Sequence, residues 1–207
     1  MGRGGRYGKY GEYKRFDRLQ RGSIRDFIHA RRLDSRSLRA YPGNYRRNPP
    51  PPLKLAFRKA NSADLPSIIE LSKRVFSIYG PYDEIIAGWA SLAHTATVVV
   101  EEMGQPRGFA MINLAPRAQD RANGELLAIA IFPEFHGRGI GKKLLKYMED
   151  LARSLSIGEL FLHTAVNNES ARRFFMENGF LPRDVVGCYY PLGQKAMEMS
   201  KKLPSGR

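Results

Sequence analysis

The sequence predicts an α/β (α+β) domain: a mixed, largely antiparallel central sheet flanked by helices. Three observations carry this. Residues 125–132 (ELLAIAIF) form a nearly continuous apolar run bounded by turn residues, as a central strand covered on both faces reads. A glycine-rich loop and an amphipathic helix follow that run directly. From Leu53 onward, segments of period-two alternation are interleaved with segments of helical period.

Taken in order, residues 53–58 (LKLAFR) alternate and read as a strand. Asn61 or Ser62 then caps a helix reaching about Phe76, with Ile68, Ile69, Leu71 and Val75 as its inner stripe. Residues 82–92 read as a second helix. Residues 95–101 and 107–114 read as strands, joined by a hairpin that Gly104 and Pro106 mark. After the apolar strand comes a helix over 139–154, with Ile140, Leu144, Met148, Leu151 and Leu155 as its apolar stripe. A strand over 160–165 and a helix over 169–177 follow, the helix stopped by Asn178-Gly179. Strands over 185–192 and 196–203 close the chain. Cys188, the single cysteine, reads as a small buried hydrophobe and allows no intrachain disulfide.

The chain has 207 residues, 43% of them hydrophobic, and a formal net charge of +14. Residues 1–52 hold 14 Lys and Arg against 4 Asp and Glu; the remaining 155 hold 20 against 16. The basic excess therefore belongs to the N-terminal quarter. There, Arg and Lys alternate with Gly and with Tyr7, Tyr10, Tyr13 and Phe16, a composition that predicts no stable fold of its own. A short helix is expected over 24–33. Pro49 to Pro52 make a stiff extended spacer, so the domain boundary is expected there: 1–52 as an extension, 53–207 as the folded domain. Phosphate pairing by the basic residues and base stacking by the aromatics would suit RNA or ribosome contact through 1–47. No apolar run reaches the length of a membrane span, and no signal-peptide core is present, so membrane insertion is not expected and the cytoplasm is the expected location.

The segment that carries chemistry is His136-Gly137-Arg138-Gly139-Ile140-Gly141-Lys142-Lys143, between the apolar strand and its helix. Glycines let the backbone approach a ligand, and the first turn of a helix presents unpaired N–H groups and the positive end of the dipole. Together these make a pyrophosphate site, with Arg138, Lys142 and Lys143 adding charge. The pattern is neither G-x-G-x-x-G nor a Walker A loop.

This segment resembles the acetyl-CoA loop of the GNAT superfamily, Gln/Arg-x-x-Gly-x-Gly/Ala, with His136 as a departure in the first position. Residues 127–133 (LAIAIFP) look like the strand that precedes that loop. Residues 168–180 (NESARRFFMENGF) look like the family's Asn-x-x-Ala…Gly-Phe element, and 197–203 like its final strand. The resemblance covers about residues 54–204 and implies an N-acetyltransferase that uses acetyl-CoA as co-substrate, with no metal, and a primary amine as acceptor, of peptide or small-molecule origin. It implies that Ile129, Ala130 and Ile131 pair with the pantetheine arm, with the Ile131 N–H facing the oxyanion. The backbone of Gly137, Arg138, Gly139, Ile140, Gly141 and Lys142 would hold the pyrophosphate. Asn168 would contact the cofactor arm and also suits a helix N-cap. Two general bases are candidates, Glu125 at the start of the apolar strand and His163 on the next. Many relatives carry a tyrosine in the last helix that protonates the leaving thiolate. Phe175 stands there, with Tyr189 or Tyr190 as substitutes. Tyr79, Tyr82, Asp83, Glu84 and Trp89 are candidates for the acceptor side, and the two acids would favour a cationic amine. The alternative is a non-catalytic acyl-CoA-binding module tethered to RNA or the ribosome by the basic extension.

Overall fold

In the computed structural model the described residues are 54–114 and 123–204. The expected extension, its 24–33 helix, the 1–47 contact segment and the boundary at 52 lie outside them.

The chain forms strands β1 (Leu55–Lys59), β2 (Thr95–Glu102), β3 (Gln105–Asn113), β4 (Asn123–Ile131), β5 (Glu159–Ala165), β6 (Leu181–Val186) and β7 (Ala196–Lys202). Its helices are α1 (Leu65–Phe76), α2 (Tyr82–Ala90), α3 (Ile140–Ser154) and α4 (Glu169–Glu177). The strands make one seven-stranded sheet in the order β1-β2-β3-β4-β5-β7-β6. Only β4 and β5 run parallel; every other neighbouring pair is antiparallel.

Sequence and structure agree closely through β5 and α4. Asn61 caps as expected, but on a 3₁₀ turn over Ser62–Asp64 that leads into α1: its side chain accepts from the Ala63 N–H while Asp64 accepts from the Asn61 N–H. In α3, Ile140, Leu144, Leu145, Met148 and Ala152 are all buried at helical spacing. Each large apolar side chain so buried contributes about 2 kcal/mol. Leu155 leaves the stripe and is exposed, because the helix ends at Ser154.

The sheet separates two apolar layers. One holds Leu126, Ile131 and the inner face of α3; the other holds Ala128, Ala130 and the inner faces of α1 and α2. β4 changes face midway. Opposite β3, Met111 pairs with Ala128 and Ile112 with Leu126, so Leu127 is an extra residue on β4. This bulge turns Leu127 and Ala128 toward the same layer and bends the strand just before the segment that faces the ligand cleft.

Two expectations fail at the C-terminal end. The penultimate strand is Leu181–Val186, not 185–192. It is the edge of the sheet and mostly exposed, so it has no apolar alternation to reveal it. Residues 187–195 form the turn instead, and Cys188 within it is exposed with φ of 48°, not buried.

Candidate functional site

β4 and β5 pair in register only from Asn123↔Glu159 to Leu126↔Leu162. Beyond that point β4 runs on to Ile131 and β5 to Ala165 without pairing, so the two strands part. The gap between them is a cleft of about 670 Å³ that Ile129, Ala130 and Ile131 line on one side and His163, Thr164 and Ala165 on the other. Helices α3 and α4 bound it through Ile140, Gly141, Lys142, Asn168, Ala171 and Phe175, among others. With no strand beside it there, β4 has an edge of backbone N–H and C=O groups available to a ligand.

At one end of the cleft stands the N-terminus of α3. Gly139 is its N-cap in the left-handed region, φ 72°, and no side chain caps it. Gly137 has φ 73°. A residue with Cβ is strained at such φ values, which is why glycine stands here. The first-turn N–H groups of α3 are left pointing outward. Lys142 lines the cleft beside them. Arg138 does not line it; its guanidinium lies over the Phe135 ring, 5.1 Å from the centroid. His136 stands where the resemblance leads one to expect Gln or Arg, and its Nε2 lies 2.8 Å from the Ile131 carbonyl oxygen. It ties the loop back to the end of β4.

Asn168 caps α4: its Oδ1 accepts from the Ala171 N–H at 3.0 Å, and its Nδ2 donates to the Tyr79 hydroxyl at 3.2 Å. Phe175 is buried against Phe174 and Phe180.

At the other end, Glu125 and His163 meet. Glu125 Oε1 lies 3.1 Å from His163 Nδ1, and both residues line the cleft. The His163 side chain is only 5% exposed and lies in a stack with Tyr189, ring centroids 4.3 Å apart. Its Nε2 faces Glu198 Oε2 at 3.5 Å. An imidazole between two carboxylates can take a proton from one side and release it on the other. Sequence reasoning missed Glu198. Its signal was a charged residue between two core methionines, Met197 and Met199, directly opposite His163 in the β5–β7 register.

An aromatic wall of Phe76, Tyr79, Tyr82, Trp89, Tyr189 and Tyr190 closes this end. Tyr79 is stacked on Tyr190 with centroids 4.7 Å apart, and burial pushes the Tyr190 phenol well above its ordinary value. Asp83 and Glu84 are not part of the lining. Asp83 turns toward Lys73, 3.4 Å away, and Glu84 is exposed on the outer face of α2. The acids that line the cleft are Glu125, at this end, and Glu177 on α4; Glu198 stands behind His163.

A cleft with strand backbone left unpaired by β5 along it and a helix N-terminus without a side-chain cap at one end suits an extended acyl carrier bearing a diphosphate. The comparisons with known proteins agree. The model of the acetyltransferase (GNAT) family matches residues 65–180. An uncharacterized N-acetyltransferase of Methanocaldococcus jannaschii is 29% identical over 154 residues, 74% of this chain and 95% of that protein. N-alpha-acetyltransferase 30 of Saccharomyces cerevisiae is 27% identical over 146 residues, 64% of this chain and 81% of the relative. Among solved structures, the Salmonella typhimurium acetyltransferase yncA with its cofactor acetyl-CoA superimposes with a TM-score of 0.60 at 20% identity, over 73% of this chain and 95% of the other. The ribosomal-protein-S18-alanine N-acetyltransferase of Escherichia coli superimposes with a TM-score of 0.63 at 19% identity, over 74% and 96%. The chain belongs to the acetyltransferase (GNAT) family and is an N-acetyltransferase, passing the acetyl group of acetyl-CoA to an amine.

Proposed function

We propose that the acceptor is the α-amine of a polypeptide N-terminus, and that Glu125, His163 and Glu198 take its proton. The observation that carries this is the chain of contacts from the cleft through Glu125 Oε1 to His163 Nδ1 at 3.1 Å and from Nε2 to Glu198 Oε2 at 3.5 Å. An α-amine has a pKa near 8, so much of it is protonated at neutral pH and unable to attack. Glu125, at the cleft, removes that proton; His163 passes it on; Glu198, 26% exposed, hands it to solvent. The His163 ring between them is shielded from bulk water by Tyr189 and Phe161.

The rest of the site acts on the co-substrate. The β4 backbone at Ile129, Ala130 and Ile131 pairs with the pantetheine amides, and the Ile131 N–H stabilises the developing oxyanion. The Gly137–Lys142 backbone and the Lys142 ammonium receive the pyrophosphate. The choice of an α-amine over a lysine rests on the N-alpha-acetyltransferase 30 relatives from two yeasts, 27% and 33% identical to the aligned parts of this chain. The aromatic wall agrees with it, since it offers apolar surface to a first side chain.

Full-length protein is incubated with labelled acetyl-CoA and two peptide pools, one with free N-termini and lysines acetylated, the other with blocked N-termini and free lysines. Label in the first pool alone is the expected result. Label in the second pool alone would overturn the α-amine acceptor and leave a side-chain amine in its place.

A further inference from the structure

Acyl transfer from a thioester releases a thiolate, and the most obvious wall residue on α4, Phe175, has no proton to give. We propose that the Tyr79 hydroxyl is the acid that protonates the departing sulfur, an inference that rests on the transfer reaction described above.

Asn168 Oδ1 accepts from the Ala171 N–H as the cap of α4, which fixes the orientation of its amide. The Nδ2 group must then be the one that faces Tyr79, and it donates to the phenol oxygen at 3.2 Å. The Tyr79 oxygen is therefore an acceptor in this contact, and its own O–H hydrogen remains to be given elsewhere. Tyr79 and Asn168 line the same cleft as Ile131 and Phe175.

Tyr79 is also held still. Its ring is stacked on Tyr190. The turn that carries it is tied to the β6–β7 loop by the bond from Gln194 Nε2 to the Ile78 carbonyl, 2.7 Å. Gly80 beside it approaches Pro191 so closely that a Cβ would lie 2.8 Å from the proline ring. Three other hydroxyls of the cleft are less suited. Burial makes Tyr190 hold its proton harder, and the Tyr189 ring is stacked on His163. The hydroxyl of Thr164 is aliphatic and far less acidic than a phenol.

The proton balance is complete. The amine nitrogen bonds to the thioester carbon and the C–S bond breaks with its electron pair on sulfur. The second nitrogen proton goes to Glu125 and on through His163. The Tyr79 proton goes to sulfur, and the phenolate is reprotonated from water.

The test uses full-length protein, acetyl-CoA and a free-N-terminus peptide that the wild type acetylates, and compares wild type, Tyr79→Phe and Tyr79→Phe with Phe175→Tyr. Tyr79→Phe is expected to lower kcat by about a hundredfold with the peptide KM and the acetyl-CoA Kd within about threefold. Returning a phenol to the cleft at residue 175 is expected to restore at least tenfold of the lost rate. Unchanged kcat in Tyr79→Phe, or a raised peptide KM at unchanged kcat, would overturn the proposal while leaving the acetyltransferase reading intact. A wild type that acetylates no peptide would instead sink the α-amine acceptor, and this proposal with it.

Discussion

Glu125 Oε1 stands 3.1 Å from His163 Nδ1, across the point where β4 and β5 stop pairing. The two residues are 38 positions apart in sequence and come from the only parallel pair of strands in the sheet. Each reads separately as a candidate base; in the folded chain they form one unit. Groups that act as a unit show non-additive losses. Glu125→Gln and His163→Ala are each expected to lower kcat by about a hundredfold. The double variant is expected to lose no more than about threefold beyond the worse single. Steady-state kinetics on the three proteins checks this. Losses that multiply would mean that the two residues act independently.

Glu198 makes a sharper case, because it lies behind His163 and not at the cleft. As the proposed outlet of the proton path, it should affect the rate of proton release and not acceptor binding. Glu198→Gln is expected to lower kcat roughly tenfold, within the lower range of general acid–base effects, with peptide KM unchanged. A rise in KM without loss of kcat, read from the same initial-rate curves, would assign Glu198 to acceptor binding instead.

The proposed pyrophosphate end is open to a backbone test. Gly139 has φ 72°, and an alanine there costs about 1–2 kcal/mol if the backbone holds its conformation. Gly139→Ala is therefore expected to weaken acetyl-CoA binding at least tenfold by calorimetry, with a modest fall in thermal stability. A substitution with no effect on Kd would mean that the ligand does not use this turn.

Much of this was legible in the sequence, and the reasons for the rest are physical. The run from β4 into α3 was readable because both of its signals are strong: a doubly covered strand is apolar throughout, and the loop needs glycine where φ is positive. The acceptor side was less so. β6 is an exposed edge with Leu181 68% and Val185 47% exposed, so its side chains carry no periodicity, while the apolar letters that follow it belong to a turn. Asp83 and Glu84 lie on the second helix as expected, but which way a helix face points is set by tertiary packing: Ile86 is fully buried, and that rotates Glu84 outward. The Glu125–His163–Glu198 row depends on register across three strands, and no local pattern encodes register between β4 and β5.

Stability should fall in acid through one nearly buried carboxylate. Arg58 Nη1 and Nη2 donate to Asp64 at 2.7 and 2.8 Å, and the Asn61 N–H adds a third bond at 2.8 Å. The bonds from Arg58 are the main reason the Asp64 carboxyl is held below the ordinary carboxylate value; burial opposes them and loses. A carboxyl depressed in the folded state favours folding above its unfolded pKa of about 3.9, and this contribution drains away as pH falls below that value toward the folded pKa. Asp64→Asn is expected to destabilise the protein at pH 7 by about 2 kcal/mol, between the values for exposed and buried pairs because Arg58 is 34% exposed. It is also expected to flatten the loss of stability below pH 4. Urea midpoints at pH 7, 4 and 3 check both; parallel acid profiles for the two proteins would rule Asp64 out as the source.

The last prediction concerns the clasp that holds the acceptor end together. Gln194 Nε2 donates to the Ile78 carbonyl at 2.7 Å and joins the turn before α2 to the β6–β7 loop, the two segments that present Tyr79 and Tyr190. The bond is exposed, so its loss should cost the fold no more than about 1 kcal/mol. Its effect should fall on the geometry of the aromatic wall. Gln194→Ala is expected to raise the peptide KM several-fold, to leave the acetyl-CoA Kd within twofold, and to shift the melting temperature by only a few degrees. The proposed pyrophosphate end lies at the N-terminus of α3, so a large change in the acetyl-CoA Kd would mean that the two ends of the cleft are coupled through α4 and Asn168.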